Sequence, residues 1–170
     1  MALTLDGNGT MTVGNGDITG LATGALPSTV IGAGAVLQVV NGTVNYVTTT
    51  SASLVDTGLT ASITPTSSSS KILVSVNLVS INPATAGAVN FAFTLTDGSN
   101  NVVQNLINYN SSTGSSTLQS PAYSLLLSPA TTSSITYKVR FSISGGNTLR
   151  LGDYSANFNP STITLMEIAA

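Results

Sequence analysis

The run from residue 135 to residue 144 places an apolar side chain at every second position. The apolar residues are Tyr137, Val139, Phe141 and Ile143, and the residues between them are Lys138, Arg140 and Ser142. A second run has the same pattern, with Phe91, Phe93 and Leu95 on one side and Ala92, Thr94 and Thr96 on the other. A period of two is the period of a β-strand. Each run therefore predicts a strand with one face in a hydrophobic core.

From residue 35 onward, similar β-branched runs are separated by clusters of Gly, Asn, Pro and Ser, and helix-length patterns are missing from the sequence. We predict strands at Val36 to Val40, Val44 to Thr49, Ser53 to Asp56, Ala61 to Thr64, Lys71 to Ile81, Val89 to Thr96, Val102 to Tyr109, Ala122 to Leu127, Ile135 to Ser144 and Thr162 to Ile168. The Asn41-Gly42 pair predicts a two-residue hairpin. This number of short strands predicts an all-β fold, an antiparallel two-sheet jelly-roll sandwich.

Residues 1–34 differ from the rest because they are rich in Gly and Thr and contain too few apolar residues for a core of their own. The apolar positions are Leu3, Leu5, Met11, Val13, Ile18, Leu21 and Leu26. The first four alternate across the Asp6-Gly7-Asn8-Gly9 turn, which predicts a small hairpin. A lone hairpin is only marginally stable. We therefore predict an extended attachment arm at 1–34 and a knob domain at 35–170, with those apolar residues as contacts to another protein.

The composition excludes several classes of partner. Charged residues make up 6% of the chain, the formal net charge is -2, and the only cations are Lys71, Lys138, Arg140 and Arg150. No basic stripe exists to hold phosphates, so we expect no nucleic-acid binding. The longest nearly apolar stretch, Val30 to Val40, is shorter than the roughly twenty residues that span a bilayer, so we expect no membrane partner. An uncharged surface suits a subunit that is fixed in an assembly.

The sequence contains no His and no Cys, which excludes Ser-His-Asp and Cys-His catalysis and thiolate metal sites. Asp56-Thr57-Gly58 matches the core of the aspartic-protease motif, but there is no second copy to supply a second carboxylate, and we interpret it as a strand-end turn. Asp6, Asn8, Thr10 and Asp17 have the spacing of EF-hand ligands, but Met11 stands where that loop needs Gly. We expect no enzymatic activity, no cofactor and no metal.

The C-terminal strand has apolar residues on both faces. Ile163, Leu165, Met166 and Ile168 are interrupted only by Thr164 and Glu167. A strand with two apolar faces is typical of one buried between its own core and a neighbour. We predict these four apolar residues as contacts with other copies of the chain. The tyrosines at 46, 109, 123, 137 and 154 could stack on sugars, but packing on the core is the favoured interpretation.

Several phrases of the sequence are distinctive: VLQVV at 36–40, VDTGLTASITP at 55–65, SSKILV at 69–74, SPATT at 128–132 followed by YKV at 137–139, and STITLMEIA at 161–169. Together they resemble phrases in a family of virion proteins from marine tailed bacteriophages. In that family the module is found in head-fibre, head-decoration and tail-fibre proteins. The resemblance implies a non-enzymatic trimer in the virion and transfers no catalytic residue. Leu125-Leu126-Leu127 is more apolar than the family pattern, which indicates a contact surface.

The leading hypothesis is a capsid decoration (cement) or head-fibre protein on the outer surface of the capsid, whose arm binds the major capsid protein. The chain contains neither heptads nor a repeated unit, whereas a tail fibre needs a shaft. The alternative is a tail-associated protein that binds a host-surface receptor or glycan through the loops around 98–117 and 145–160.

Overall fold

The computed structural model describes residues 3–5, 11–13, 32–84, 89–111, 120–152 and 159–170, and every regular element within them is a β-strand. The strands are β1 (Leu3–Leu5), β2 (Met11–Val13), β3 (Val36–Val44), β4 (Tyr46–Thr49), β5 (Val55–Ile63), β6 (Lys71–Asn77), β7 (Ile81–Pro83), β8 (Val89–Asp97), β9 (Val102–Ser111), β10 (Ala122–Leu127), β11 (Ile135–Ile143), β12 (Leu149–Gly152) and β13 (Ser161–Ile168). The prediction of an all-β fold is confirmed.

The chain divides into two compact units, Met1–Ile31 and Gly32–Ala170. In the first, β1 and β2 pair antiparallel, with Leu3 opposite Val13 and Leu5 opposite Met11. In the second, sheet 1 has the strand order β10-β6-β13-β3, sheet 2 has the order β5-β11-β8-β9, and sheet 3 has the order β4-β12-β7. All of these pairings are antiparallel.

Sheets 1 and 2 contribute to one hydrophobic core. Sheet 1 contributes five fully buried residues to this core: Ile72, Val74 and Val76 of β6, and Ile163 and Leu165 of β13. The two alternating runs of β8 and β11 bury their apolar faces from the side of sheet 2, as predicted. Within that layer the rings of Phe93 and Phe141 are 5.7 Å apart and tilted by 40°. Burial of these stripes supplies most of the driving force for folding.

Several strand boundaries differ from the predictions. Residues 55–63 form one strand instead of two, so Asp56-Thr57-Gly58 lies inside β5 and is not a strand-end turn. The segment from Lys71 to Ile81 is divided between β6 and β7 by Ser80, whose φ is 56°. Strand β12 was missed because its four residues are too few to show a period.

Asn41 and Gly42 lie in the middle of β3, so the predicted hairpin there is wrong. A Cβ atom on Gly42 would overlap the carbonyl oxygen of Thr60 in β5 and would lie 3.1 Å from the Cγ2 atom of Ile163. Glycine is needed at this position because the backbones of β3 and β5 meet where the edges of sheets 1 and 2 converge.

A buried carboxylate lies near the same edge. Glu167 faces the core side of β13, has no exposed surface, and accepts only uncharged donors. Thr66 donates its backbone N–H and its hydroxyl to Oε1, both at 2.7 Å, and Gln38 donates to Oε2 at 2.6 Å. The Gln38 amide also donates to the carbonyl of Thr64 at 2.7 Å. Burial raises the pKa of Glu167, but the hydrogen bonds outweigh it, and the pKa is lowered from its usual 4.5.

We predict that Gly42→Ala lowers the free energy of unfolding by about 3 kcal/mol, because the added methyl group overlaps backbone that cannot move away. Chemical denaturation monitored by circular dichroism measures the loss. The control is Gly98→Ala, where the added Cβ would lie 3.4 Å from the Cβ of Thr136, and we expect a change below about 1 kcal/mol. Equal effects of the two substitutions would refute the close-approach explanation.

We predict that Glu167→Gln lowers the free energy of unfolding near neutral pH by about 2 kcal/mol, because charge-assisted hydrogen bonds are lost. The pKa of Glu167 is lower in the folded chain than in the unfolded chain, so the carboxylate stabilises the fold above its usual pKa, and this contribution disappears as the pH falls through the folded value. The difference in the free energy of unfolding between the wild type and the variant should therefore become smaller in acid. Urea denaturation at a series of pH values, from neutral to below the usual pKa of a glutamate, measures this difference, and a difference that does not change with pH would contradict the explanation.

Candidate functional site

The outer face of sheet 1, which points away from the core, carries an apolar row that crosses all four strands. In strand order the row is Val39, Met166, Leu73 and Leu126, which the register places opposite one another. Beside it, Val36 lies opposite Ile168. We call these six residues the apolar rows.

The apolar rows leave large side chains in solvent. Val36, Val39 and Leu126 are 53%, 55% and 56% exposed, and they are three of the five exposed large apolar side chains in the described part of the chain. Clustering of such residues on one sheet face is typical of an interaction surface. Within the described residues, Lys71 at the end of β6 is the one charged side chain on this face, opposite Ile168.

Polar residues form the next row of the same face. The row contains Asn41, Thr164, Ser75 and Ser124. The Thr164 hydroxyl donates to Asn41 Oδ1 at 3.0 Å, and the hydroxyls of Ser75 and Ser124 are 3.2 Å apart. These short side chains add hydrogen-bonding groups beside the apolar rows without adding charge.

The structure divides the predicted interface residues of β13 between its two faces. Ile163 and Leu165 are fully buried in the core of their own chain, so they have no surface left for a partner, and their assignment as interface residues is corrected. Met166 and Ile168 lie on the outer face and are half-buried. The sequence reasoning missed Val39 and Leu73, because only the register between distant strands aligns them with Met166. The Leu125-Leu126-Leu127 run did indicate Leu126.

The outer face of sheet 2 carries an ion-pair cluster. Strands β5 and β11 pair irregularly between Lys138 and Arg140, so that Arg140 lies opposite Asp56 and Lys138 lies opposite Thr60. The Asp56 carboxylate accepts from Arg140 Nε at 2.8 Å and from Lys138 Nζ at 3.1 Å. Arg140 Nη2 also donates to the carbonyl of Leu54 at 2.6 Å. The cluster contains two of the four cations of the chain.

The bulge in β5 shapes a cleft beside this cluster. Thr57 inside the bulge donates to the carbonyl of Val139 at 2.7 Å, and Gly58 has a φ of 83°. The cleft has a volume of about 320 Å³ and is lined by Asp56, Gly58, Thr60, Gly98, Thr136 and Lys138. Asp56-Thr57-Gly58 therefore forms a bulge whose carboxylate is neutralised by two cations, which is unlike a pair of carboxylates that share a proton.

Other predicted positions are placed as follows. Leu3, Leu5, Met11 and Val13 lie in β1 and β2, while Ile18, Leu21 and Leu26 lie outside the described residues, as do the EF-hand-like positions Asp6, Asn8, Thr10 and Asp17. The assignment of the arm to capsid contacts stays a prediction.

Tyr137 is buried in the core, and Tyr109 and Tyr123 pack against the core.

Among the described residues, no group of three or more His, Cys, Asp or Glu side chains could hold a metal ion. The same part of the chain contains no helix that is long and apolar enough to cross a membrane.

No protein-family model and no curated protein sequence matches the chain. Among solved structures, the chain is similar to VP2 in a subviral particle of infectious bursal disease virus, with 16% identity and a TM-score of 0.39 over 78% of this chain and 37% of that one. It is also similar to chains in the structures of the Gt and Gx strains of that virus, with 16% and 14% identity and TM-scores of 0.36 and 0.39. Those matches cover 78% of this chain and 38% and 37% of the viral chains. The chain thus spans well under half the length of these proteins.

Proposed function

We propose that this chain is a non-enzymatic structural protein of a virus particle, a trimeric capsid decoration (cement) or head-fibre protein on the outer surface of the capsid. The observation that carries self-association is the pair of apolar rows on the outer face of sheet 1, and the number of three subunits rests on the resemblance to tailed-phage proteins. The placement in a virion rests on the sequence phrases that resemble those of tailed-phage proteins, and the low content of charged residues is consistent with it.

The nested pairing of the long strands supports the proposal that the all-β fold is a jelly roll. Eight strands form sheets 1 and 2. In chain order the first pairs with the last, β3 with β13, and the second pairs with the seventh, β5 with β11. The third pairs with the sixth, β6 with β10, and the fourth with the fifth, β8 with β9. This is the pairing of one long hairpin rolled over itself into two sheets, as in a jelly roll.

The absence of acidic side chains from the described part of the sheet 1 outer face favours a second copy of the chain as its partner. Around a symmetry axis each residue lies near its own copies. Charged residues close to the axis would repel their copies, whereas the apolar rows and the neighbouring hydroxyl and amide row can pack without repulsion. Lys71, the one charged side chain on the described part of this face, is exposed and can extend its ammonium into solvent. Val36, Val39 and Leu126 are already about half buried, so burying the rest of each would contribute about half of the 1.5–3 kcal/mol for a large side chain, or roughly 2–4 kcal/mol per subunit for all three.

In this proposal the arm at 1–34 binds the major capsid protein, and the knob at 35–170 protrudes. A trimer carries three arms, so weak individual contacts combine into firm attachment. The protein would then act by linking neighbouring capsid subunits and needs no cofactor or catalytic group. The alternative location, on a tail with a host-surface receptor or glycan as partner, uses the same trimer.

We predict that Val39→Asp dissociates the trimer, because it places three carboxylates in an apolar interface, at a cost of more than about 2 kcal/mol per subunit. Multi-angle light scattering should give three times the 17.1 kDa mass of one chain for the wild type and a single-chain mass for the variant. The matched control is Val102→Asp in sheet 2, where the native valine is equally exposed at 58%. A wild-type mass of one chain, or dissociation by both substitutions, would contradict the proposed interface.

A further inference from the structure

The cleft on the outer face of sheet 2 presents fixed polar groups to solvent. It lies over β11, between the bulge of β5 and the turn that joins β8 to β9. The side chains of Lys138 and Arg140 are only 17% and 19% exposed, whereas that of Asp56 is 52% exposed. The two cations therefore hold the carboxylate in one orientation while its outer side stays open to solvent. A volume of about 320 Å³ falls within the range of small-molecule sites, roughly 300–1,000 Å³.

The groups around the cleft include unused donors and unused acceptors. Within the described residues, the Lys138 ammonium has Asp56 as its one hydrogen-bond partner, so two of its three N–H groups remain for a ligand. Each oxygen of Asp56 accepts one bond from a cation and has a further lone pair. Thr60 donates to the carbonyl of Tyr137, and Thr136 shares a hydrogen bond with Ser62, which leaves both hydroxyls able to accept.

This combination selects against most ligand classes. The carboxylate of Asp56 is the most exposed charged group of the cluster, so an anion would meet it before it reached either of the two less exposed cations, and a cation would be repelled by Lys138 and Arg140. An apolar molecule would find six lining residues without a hydrophobic side chain among them. A neutral polyhydroxyl compound meets neither obstacle, because each of its hydroxyls both donates and accepts. The threonine methyl groups and the lysine methylene chain can contact its C–H groups.

We propose that this cleft binds one residue of a neutral sugar, with the Asp56 carboxylate and the Thr136 hydroxyl each accepting from a sugar hydroxyl and the Lys138 ammonium donating to a neighbouring one. Gly58 and Gly98 contribute by leaving the two sides of the cleft free of side chains. A single site of this kind, without an aromatic wall, binds weakly, with a Kd on the order of 1 mM. The site is independent of the proposed function, since it needs neither the trimer nor the arm.

The test is an NMR titration of the full chain with glucose, galactose, mannose and N-acetylglucosamine, and with sodium sulfate as an anionic probe. We expect at least one of the sugars to bind with shifts confined to the cleft. Asp56→Asn, Lys138→Met and Thr136→Val should each weaken binding by about 10-fold, because each removes a hydrogen bond to the ligand or the charge that strengthens it. Asn108→Ala, at an exposed position on β9, should leave the affinity unchanged.

Thr136→Val protects the test against a folding artefact, because valine has nearly the shape of threonine, favours strands and leaves the ion pairs intact. Circular dichroism of each variant verifies the fold. The proposal is overturned if none of these sugars binds at up to about 50 mM, or if sulfate alone binds. It is equally overturned if the folded Thr136→Val protein binds the sugar as tightly as the wild type.

Discussion

Strand β13 is the element on which the organisation of sheet 1 depends. It is hydrogen-bonded to β3 on one side and to β6 on the other, so it joins the start of the second unit to its middle. Its inner face places Ile163 and Leu165 in the core. It also places Glu167 in the hydrogen-bonded cluster near the edge where β3 of sheet 1 meets β5 of sheet 2. Its outer face puts Met166 at the centre of the apolar rows. This eight-residue strand thus contributes to the core, to the edge where the two sheets converge and to the proposed contact with other subunits.

Local periodicity was sufficient to predict the core stripes of β8 and β11, because a period of two needs no information about neighbouring strands. The need for glycine at position 42 could not be predicted from local periodicity. Its neighbour Asn41 makes a hairpin the natural local interpretation, but the reason for glycine is the carbonyl of Thr60, which belongs to another sheet. The ionised Glu167 was missed for the same reason, since Gln38 and Thr66 reach it only after the chain has folded.

The candidate sites depend even more on long-range register. The C-terminal sequence indicated a strand with two apolar faces, but it could not separate the residues in the core from those on the surface. Pairing with Val39 and Leu73 identifies Met166 as the outward residue. Asp56, Lys138 and Arg140 come together because the β5 bulge changes the register between two strands that are far apart in sequence. The two outer faces consequently differ, with charge on sheet 2 and apolar rows on sheet 1.

The most direct test of the central claim is electron cryo-microscopy of virus particles purified from a lysate that contains the protein. The account predicts a threefold-symmetric protrusion on the outer surface of the capsid, with the apolar rows of sheet 1 turned toward the threefold axis. Particles that lack the protein, or density for single chains whose apolar rows face solvent, would contradict it.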